Sequence, residues 1–529
     1  MKGKRRRRRL WPWLVVLAVL GGLLAYMYWP AGPVEIIVSR ETTYILGPLN
    51  PDGTPNYVKY LDDKYAEGVT PENNAARLLL RALGPKLLPP HVRVESLRRL
   101  NLPADIFDGD KHFIDWDDRV RAAKADANGT SDANSSLLPE QEEGESADEP
   151  YFGDVFEMLL AGQEHPDLEA WLASNAGPLD LVCQASAKDR YYIPLVSTST
   201  PPRMLDTILP SFGRFRRFAE ALTARAILKM SRDDSRGAWD DVLAAHHLAR
   251  LLGQTPILFC QMVALDMEEK ACRAGIVLAT TGSMDAEQLR ELSNNLNALG
   301  PVSDVVRTTD EGERFIGLDA AILVSRGVDV RTFFSMGPPK RNGLYLDTNQ
   351  MLRDMNTWYD RMVKPTRLPR FQGLKEAQEA FNDERMEFSI KRGRLATPLR
   401  MGLLKFGGAL MRGTLTEVTS DFLVCGMLSS LTRACDLEDK VKMIFEIEIL
   451  AVALACFHAE HGRWPGELKE LCPSLLKAIP ADRFSVKPLV YRPTEKGYLL
   501  YSVGMNLTDD GGKEDDIVAE VKPASESSK

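Results

Sequence analysis

Residues 237–254 read GAWDDVLAAHHLARLLGQ, and this stretch decides how the middle of the chain folds. Its apolar positions recur every three or four residues, which is the spacing of one helix face, and Gly253 provides a stop. A second periodic run ends at Met230 before a polar break at 231–235, and a third runs from about Ile257 to Leu278. Consecutive helices joined by short polar turns predict a mainly α fold.

The segment from Gly237 to Pro256 also carries a partial repeat signature. The matching residues are Gly237, Trp239, Leu243, Ala249 and Pro256. They resemble the small and aromatic positions of a tetratricopeptide unit, which implies a helical-repeat-like body over residues 151–440. No second copy follows at a fixed period, so a counted tandem array is not predicted. Further helices are expected at 285–299 and 346–363.

The N-terminus combines seven cations (Lys2, Lys4 and Arg5 to Arg9) with an uncharged apolar run over residues 10–29. Twenty helical residues at ~1.5 Å each give roughly 30 Å, which predicts a single transmembrane helix. Because cations favour the cytoplasmic side, we expect an inner-membrane protein with a cytoplasmic N-terminus and a periplasmic or otherwise extracytoplasmic bulk. A cleaved signal peptide is the alternative, although the run is long and ends in aromatic residues.

Composition and missing motifs restrict the possible functions. The net charge is −8, and without the seven leading cations residues 30–529 carry about −15, so no nucleic-acid partner is expected. The sequence contains no phosphate-binding loop, no GxGxxG, HExxH or GxSxG motif and no CxxC pair among its seven cysteines. An enzyme would need an unrecognised active site in the helical body, for which Asp240, Asp241 and His246 are candidates.

The sequence contains two histidine pairs that are candidate metal ligands. His246 and His247 are adjacent and point about 100° apart, so one is expected to pack and the other to face solvent. His458 and His461 are three residues apart, but Gly462 follows, which places His461 in the last turn of a helix, where its charge complements the helix dipole. Neither pair predicts a metal site.

An acidic cluster near the C-terminus is a stronger candidate for an ion site. Asp509, Asp510, Glu514, Asp515 and Asp516 surround Gly511-Gly512. Calcium takes six to eight hard oxygen ligands, and a glycine-bent loop is able to bring carboxylates and carbonyls to one point. A solvated acidic tail is the alternative interpretation.

The residues before this cluster carry a resemblance. They comprise an apolar helix from Ile444, the motif HGRWP at 461–465, the turn Pro480-x-Asp482-x-Phe484, and the segments KPLVY at 487–491 and GYLLYSVG at 497–504. Strands are expected at 489–492 and 498–503. Over about 75 residues this order resembles the globular domain of the major pseudopilin of type II secretion systems. The resemblance implies a small α/β domain whose loop binds Ca²⁺ through Asn506, Asp509 or Asp510, and Asp515 with Asp516.

Together these observations divide the chain into a basic leader and transmembrane anchor (1–29), a small mixed α/β segment (30–123), an acidic disordered linker (124–150), the helical repeat-like domain (151–440), the pseudopilin-like domain (441–520) and a disordered tail (521–529). In the mixed segment, Thr70 as N-cap and Gly84 as stop predict a helix from Thr70 to Gly84.

The predicted function is binding or scaffolding for an unknown envelope partner, because helical-repeat surfaces are interaction surfaces. The segments 68–75, 237–239 and 248–254 also resemble a family of uncharacterised membrane-anchored bacterial proteins, which implies no activity. Two alternatives stay open: an accessory component of a type II secretion-like system, and an enzyme acting through the helical body.

Overall fold

The computed structural model describes residues 13–22, 35–109, 111–119, 158–159, 167–208, 210–281, 284–328, 346–366 and 412–521. Within these residues the chain is mainly helical, and one three-stranded antiparallel sheet lies near its C-terminal end. The predicted linker at 124–150 and most of the predicted tail at 521–529 fall outside the described residues.

The prediction of a transmembrane helix is wrong. Across the described ranges, no helix is both long and apolar enough to cross a membrane. At the N-terminus the structure describes helix α1 over residues 13–22 only. The predicted single-pass anchor at 10–29 and the inner-membrane localisation derived from it are therefore both overturned.

The described residues form two compact units. The first draws on Met1–Asp63, Ser197–Ile208 and Val306–Arg433, and the second on Lys64–Val196, Leu209–Val305 and Ala434–Lys529. Both units are discontinuous in sequence, because the chain enters each of them three times.

The first unit is organised around the helix pair α11 (Arg314–Ser325) and α12 (Thr348–Thr366), with most of α2 (Tyr57–Ala66) in the same unit. Phe315 is 1% exposed, and its ring stacks on Tyr57 at 5.0 Å and meets Tyr60 edge-on at 5.5 Å. The neighbouring Arg314 is equally buried, and its guanidinium pairs with Asp310 at 2.6 Å. Burial of this cation is possible because its charge is matched.

The second unit contains three helices that pack on one another: α7 (Phe215–Met230), α8 (Ser235–Leu252) and α9 (Leu258–Thr281). All three bury small side chains, which lets their backbones approach closely. The fully buried alanines include Ala219 and Ala224 of α7, Ala245 and Ala249 of α8, and Ala264 and Ala271 of α9. A second pair, α3 (Ala76–Leu83) and α6 (Ala176–Ser186), packs together, and α6 also contacts α8. The remaining helices of this unit are α4 (Pro90–Arg99), α5 (Leu168–Ser174) and α10 (Ala286–Ala298).

Helix α13 (Arg412–His461) is 50 residues long, and its C-terminal half belongs to the second unit. Ile447, Leu454 and Leu296 of α10 are buried in one core with Tyr498 and Leu500 of the sheet. No glycine or proline interrupts residues 427–461, so nothing in the sequence ends the helix at the expected domain boundary near residue 440. The sheet therefore packs against a helix that begins far upstream of the segment with the pseudopilin resemblance.

The sheet has the order β1 (Val490–Pro493), β2 (Tyr498–Ser502) and β3 (Ile517–Val521), with both pairs antiparallel. The predicted hairpin is confirmed, since Val490 pairs with Tyr501 and Pro493 with Tyr498. β3 was not predicted. It pairs Ile517 with Ser502, so the acidic residues that precede it form the connection between β2 and β3.

The bounds predicted for these helices agree with the structure except at the N-terminal end of α3. The structure confirms the helices expected at 285–299 and 346–363, and Asp285 caps α10 through a reciprocal capping box with Gln288. Thr70 does not cap α3: its amide donates to Asn73 Oδ1 at 2.8 Å, which closes a turn instead. The helix therefore begins at Ala76 and ends, as predicted, at Gly84, whose φ is +72°.

Candidate functional site

The predicted calcium residues lie in the β2–β3 connection, residues 503–516, which we call the acidic loop. Its two ends are held together because β2 and β3 are hydrogen-bonded neighbours. Gly504, with φ +66°, is essential for this closure: a Cβ there would lie 2.4 Å from the Asp515 carbonyl oxygen. The loop thus folds back so that its first and last residues touch.

Three carboxylates meet inside the acidic loop. Asp510, Asp515 and Asp516 each place an oxygen within 4.8 Å of the other two. Asn506 joins them, since its amide N–H donates to Asp515 Oδ2 at 2.9 Å and its Nδ2 donates to Asp510 Oδ2 at 3.0 Å. Gly512 N–H donates to Asp516 Oδ2 at 2.7 Å. The structure therefore brings together four of the five predicted residues, although Asn506 contacts the carboxylates through N–H groups and its Oδ1 accepts from Thr508 N–H.

The fifth predicted residue, Asp509, faces away from this group. Its Oδ1 accepts from the Tyr501 hydroxyl at 2.7 Å and from Gly511 N–H at 3.0 Å, and its Oδ2 lies 4.0 Å from Arg492 Nη2. The hydrogen bond from Tyr501 lowers the pKa of Asp509. Asp509 fastens the loop to the sheet rather than facing the other carboxylates.

A cleft of 520 Å³ lies beside the acidic loop in the second unit. Asp515 and Asp516 belong to its wall, and Ile276 of α9 and Ile444 of α13 are among its apolar lining residues. Arg273 and Lys440 supply cations, and Lys440 is paired with Glu269 at 2.7 Å. Two of the three converging carboxylates, Asp515 and Asp516, thus also shape this cleft.

The three residues considered for an active site do not converge. Asp240 is exposed, whereas Asp241 is 2% exposed and is bound by Arg225 at 2.6 Å and Lys229 at 2.7 Å. His246 instead faces the interior of the second unit. Asp241 is therefore a structural ion-pair partner between α7 and α8.

The structure confirms the predicted burial of His246, the exposure of His247 and the position of His461 at a helix end. His246 is fully buried and His247 is exposed, as their 100° separation required. α13 ends at His461, which stacks on Phe457 at 4.1 Å, while His458 stacks on Trp464 at 4.3 Å. The two C-terminal histidines are thus occupied by different aromatic partners.

Sequence reasoning missed the partners of His246. His246 of α8, Glu268 and Cys272 of α9, and Glu448 of α13 meet in the middle of the second unit, and we call these four residues the core cluster. Each is at most 1% exposed. His246 Nε2 lies 3.2 Å from Glu448 Oε1, and Nδ1 lies 3.0 Å from Glu268 Oε2 at an angle that is not that of a hydrogen bond. Glu268 and Cys272 are four residues apart, which is the only local signal of the cluster.

Arg250 completes the electrostatics of the core cluster. Its Nη1 donates to Glu268 Oε2 at 2.6 Å. Burial disfavours the imidazolium, yet the charges of Glu268 and Glu448 raise the pKa of His246 to about 9. Burial also opposes ionisation of Glu268, but His246 and Arg250 lower its pKa to about 2. Burial dominates at the other two groups and raises the pKa of Glu448 and of Cys272.

Comparison with known proteins gives no match to a family model, a curated protein or a solved structure.

Proposed function

We propose that this protein is a binding or scaffolding module whose acidic loop holds Ca²⁺. The observation that carries the proposal is the convergence of Asp510, Asp515 and Asp516 within 4.8 Å. Three carboxylates this close repel one another, and a bound cation removes that repulsion.

The surroundings of these carboxylates favour a cation. In the described part of the chain, no lysine or arginine forms a salt bridge with Asp510, Asp515 or Asp516. Asp516 Oδ1 is buried and lacks a hydrogen-bond partner, although buried polar atoms are nearly always satisfied. An ion at the centre of the loop gives this oxygen a partner.

The ligand atoms favour calcium over softer metals. Every candidate donor is an oxygen, from three carboxylates and backbone carbonyls, and the loop contains no histidine or cysteine. The Asn506 side-chain oxygen accepts instead from Thr508 N–H at 2.6 Å. Ca²⁺ accepts six to eight such oxygens in irregular geometry. The resemblance of residues 444–517 to a calcium-binding pseudopilin domain stays a prediction and supports the same ion.

The binding role is connected to the ion through the cleft. Asp515 and Asp516 face both, so an ion that orders the loop also orders one wall of the cleft. An apolar floor at Ile276 and Ile444 between charged rims suits a segment of another protein. A nucleic acid is disfavoured, since its phosphates would meet the acidic wall.

Calcium binding is testable on the full chain by titration calorimetry and thermal unfolding, each with calcium and with a chelator. We expect binding heat and a higher melting temperature with calcium, both lost in the double variant Asp515→Asn with Asp516→Asn. Asp509→Asn is the matched control and should retain both, because that side chain faces Tyr501. No binding heat, or equal binding by the double variant, would refute the ion site.

The same variants test the binding role. A photocrosslinking residue at Met505, on the cleft rim, should capture a discrete partner in cells only when the loop carboxylates are intact. A crosslinker at the exposed Val94 of α4 is the control position. A Met505 adduct that persists in the double variant would separate binding from the ion and contradict the proposed link.

A further inference from the structure

The core cluster contains a second, chemically different set of donor atoms. His246, Cys272 and Glu448 come from three helices, each is fully buried, and their ligand atoms all lie within 4.8 Å of one another. We propose that these three side chains bind a zinc-class divalent transition metal in the interior of the second unit. This site is independent of the acidic loop, so either proposal stands if the other fails.

The donor set selects the class of metal. A nitrogen, a sulfur and a carboxylate oxygen are the ligands of zinc and its neighbours in the first transition row, whereas calcium and magnesium require oxygen alone. Facing helices of a packed bundle are also a usual place for such a site, because each helix delivers a ligand from a rigid backbone.

Unsatisfied oxygens provide a second and independent indication. Glu448 is 0% exposed, and its Oε2 has no hydrogen-bond partner. Glu268, 1% exposed, likewise has an unpartnered Oε1. Buried carboxylate oxygens are costly unless bound, and a metal beside Glu448 takes up its free oxygen as a fourth donor.

The remaining residues form the outer layer that metal-binding histidines usually have. With Nε2 on the metal, His246 Nδ1 faces Glu268 Oε2 at 3.0 Å, and that oxygen is held by Arg250 at 2.6 Å. The negative charge of a carboxylate behind the ligating imidazole raises the basicity of the ring. Glu268 thus acts on the imidazole through its charge, and Cys272 is a direct ligand.

The charges of the proposed ligands match a divalent ion. A neutral imidazole, the thiolate of Cys272 and the carboxylate of Glu448 together carry two negative charges, which equal the charge of the metal. Glu268 stays paired with Arg250 at 2.6 Å. The interior therefore accepts the ion without an uncompensated charge.

Gly275 of α9 leaves space for the Glu448 carboxylate. A Cβ at Gly275 would lie 1.9 Å from Glu448 Oε1, so only glycine on α9 permits the carboxylate to enter between the helices. Since the ligands are closed to solvent, the metal is acquired while the chain folds.

Metal content tests the proposal on the full chain. The protein is expressed with added zinc, washed with a chelator and analysed by elemental mass spectrometry, and we expect one zinc per chain that is released only on unfolding. Expression with cobalt(II) should give a thiolate-to-cobalt charge-transfer band. Both signals should be lost in Cys272→Ala and kept in Cys260→Ala, which removes an equally buried thiol from the same helix.

If the purified protein contains neither zinc nor cobalt, or if the charge-transfer band persists in Cys272→Ala, the proposed site is refuted. If Cys272→Ala does not fold, X-ray absorption of the zinc-loaded wild type decides, because one sulfur at ~2.3 Å is expected. A coordination sphere of nitrogen and oxygen alone would then refute the proposal.

Discussion

The core cluster and the acidic loop both gather acidic side chains, yet they neutralise them differently. In the core cluster, Glu268 and Glu448 lie beside His246 and Arg250, so every buried carboxylate has a cationic neighbour. In the acidic loop, Asp510, Asp515 and Asp516 lie together, and no lysine or arginine among the described residues forms a salt bridge with them.

Solvent explains the difference. Residues of the core cluster are at most 1% exposed, and a charge in such a place must be paired or lose its ionisation. The acidic loop is at the surface, where water weakens repulsion between like charges to a small penalty. A buried carboxylate therefore needs a cationic side chain beside it in the fold, whereas carboxylates at the surface remain folded without a cation until an ion binds.

Removing a carboxylate from the core should have the largest effect. Glu268→Gln leaves Arg250 and His246 without their shared partner, and breaking a buried ion pair costs about 3–5 kcal/mol. Urea unfolding followed by circular dichroism measures this loss in the free energy of unfolding.

The adjacent Glu269→Gln is the matched control, because Glu269 pairs with a partly exposed Lys440 and should cost less than about 1 kcal/mol. Similar losses in the two variants would remove the distinction between buried and surface carboxylates.

A buried carboxylate with weaker compensation should take up a proton instead. Asp319 of the first unit is 7% exposed, and its Oδ2 accepts from Met204 N–H at 2.8 Å. Burial raises its pKa to about 7, although Arg203 and Arg326 act in the opposite direction and Asp206 adds to the rise. Folding thus favours the protonated form, so this contribution to stability is complete below pH ~4 and is lost as the pH rises through about 7.

Asp319→Asn does not titrate, and its oxygen still accepts from Met204. Relative to wild type, the variant should gain up to about 4 kcal/mol between pH 4 and pH 8, at ~1.4 kcal/mol per unit of pKa shift. Denaturant unfolding at a series of pH values measures the difference between the two proteins. A difference that does not change with pH would show that Asp319 is ionised in the folded state, and therefore compensated like Glu268.

Local sequence patterns predicted much of the fold because the relevant contacts are local. The spacing of apolar residues located α8 to α10, and the turn at 494–497 located the hairpin. The acidic loop was found for the same reason: its residues lie within eleven positions, from Asn506 to Asp516.

The core cluster could not be found this way. His246 and Glu448 are 202 residues apart, and each looks like an ordinary polar residue of its helix. The transmembrane prediction rested on the hydropathy of residues 10–29 alone, and no helix among the described residues is long and apolar enough to cross a membrane. Patterns within one turn or helix can be recognised in the sequence, whereas contacts between helices that are distant in the sequence are found only in the structure.

Removing a carboxylate from the acidic loop should have the smallest effect, and it should raise the free energy of unfolding of the metal-free protein where Glu268→Gln lowers it. This variant tests the difference between the acidic loop and the core cluster most directly. Asp510→Asn removes one negative charge from the acidic loop and keeps an oxygen that accepts from Asn506 Nδ2. In a chelator, the variant should be more stable than wild type by about 0.5 kcal/mol, because repulsion at the surface is weak. With calcium the order should reverse, since the variant has lost a ligand charge. Asp509→Asn is the control: it replaces a charged acceptor of the Tyr501 hydroxyl by a neutral one, outside the group of converging carboxylates, and should not stabilise the protein. If Asp510→Asn instead destabilises the metal-free protein, the loop carboxylates are already compensated, and the loop resembles the core cluster after all.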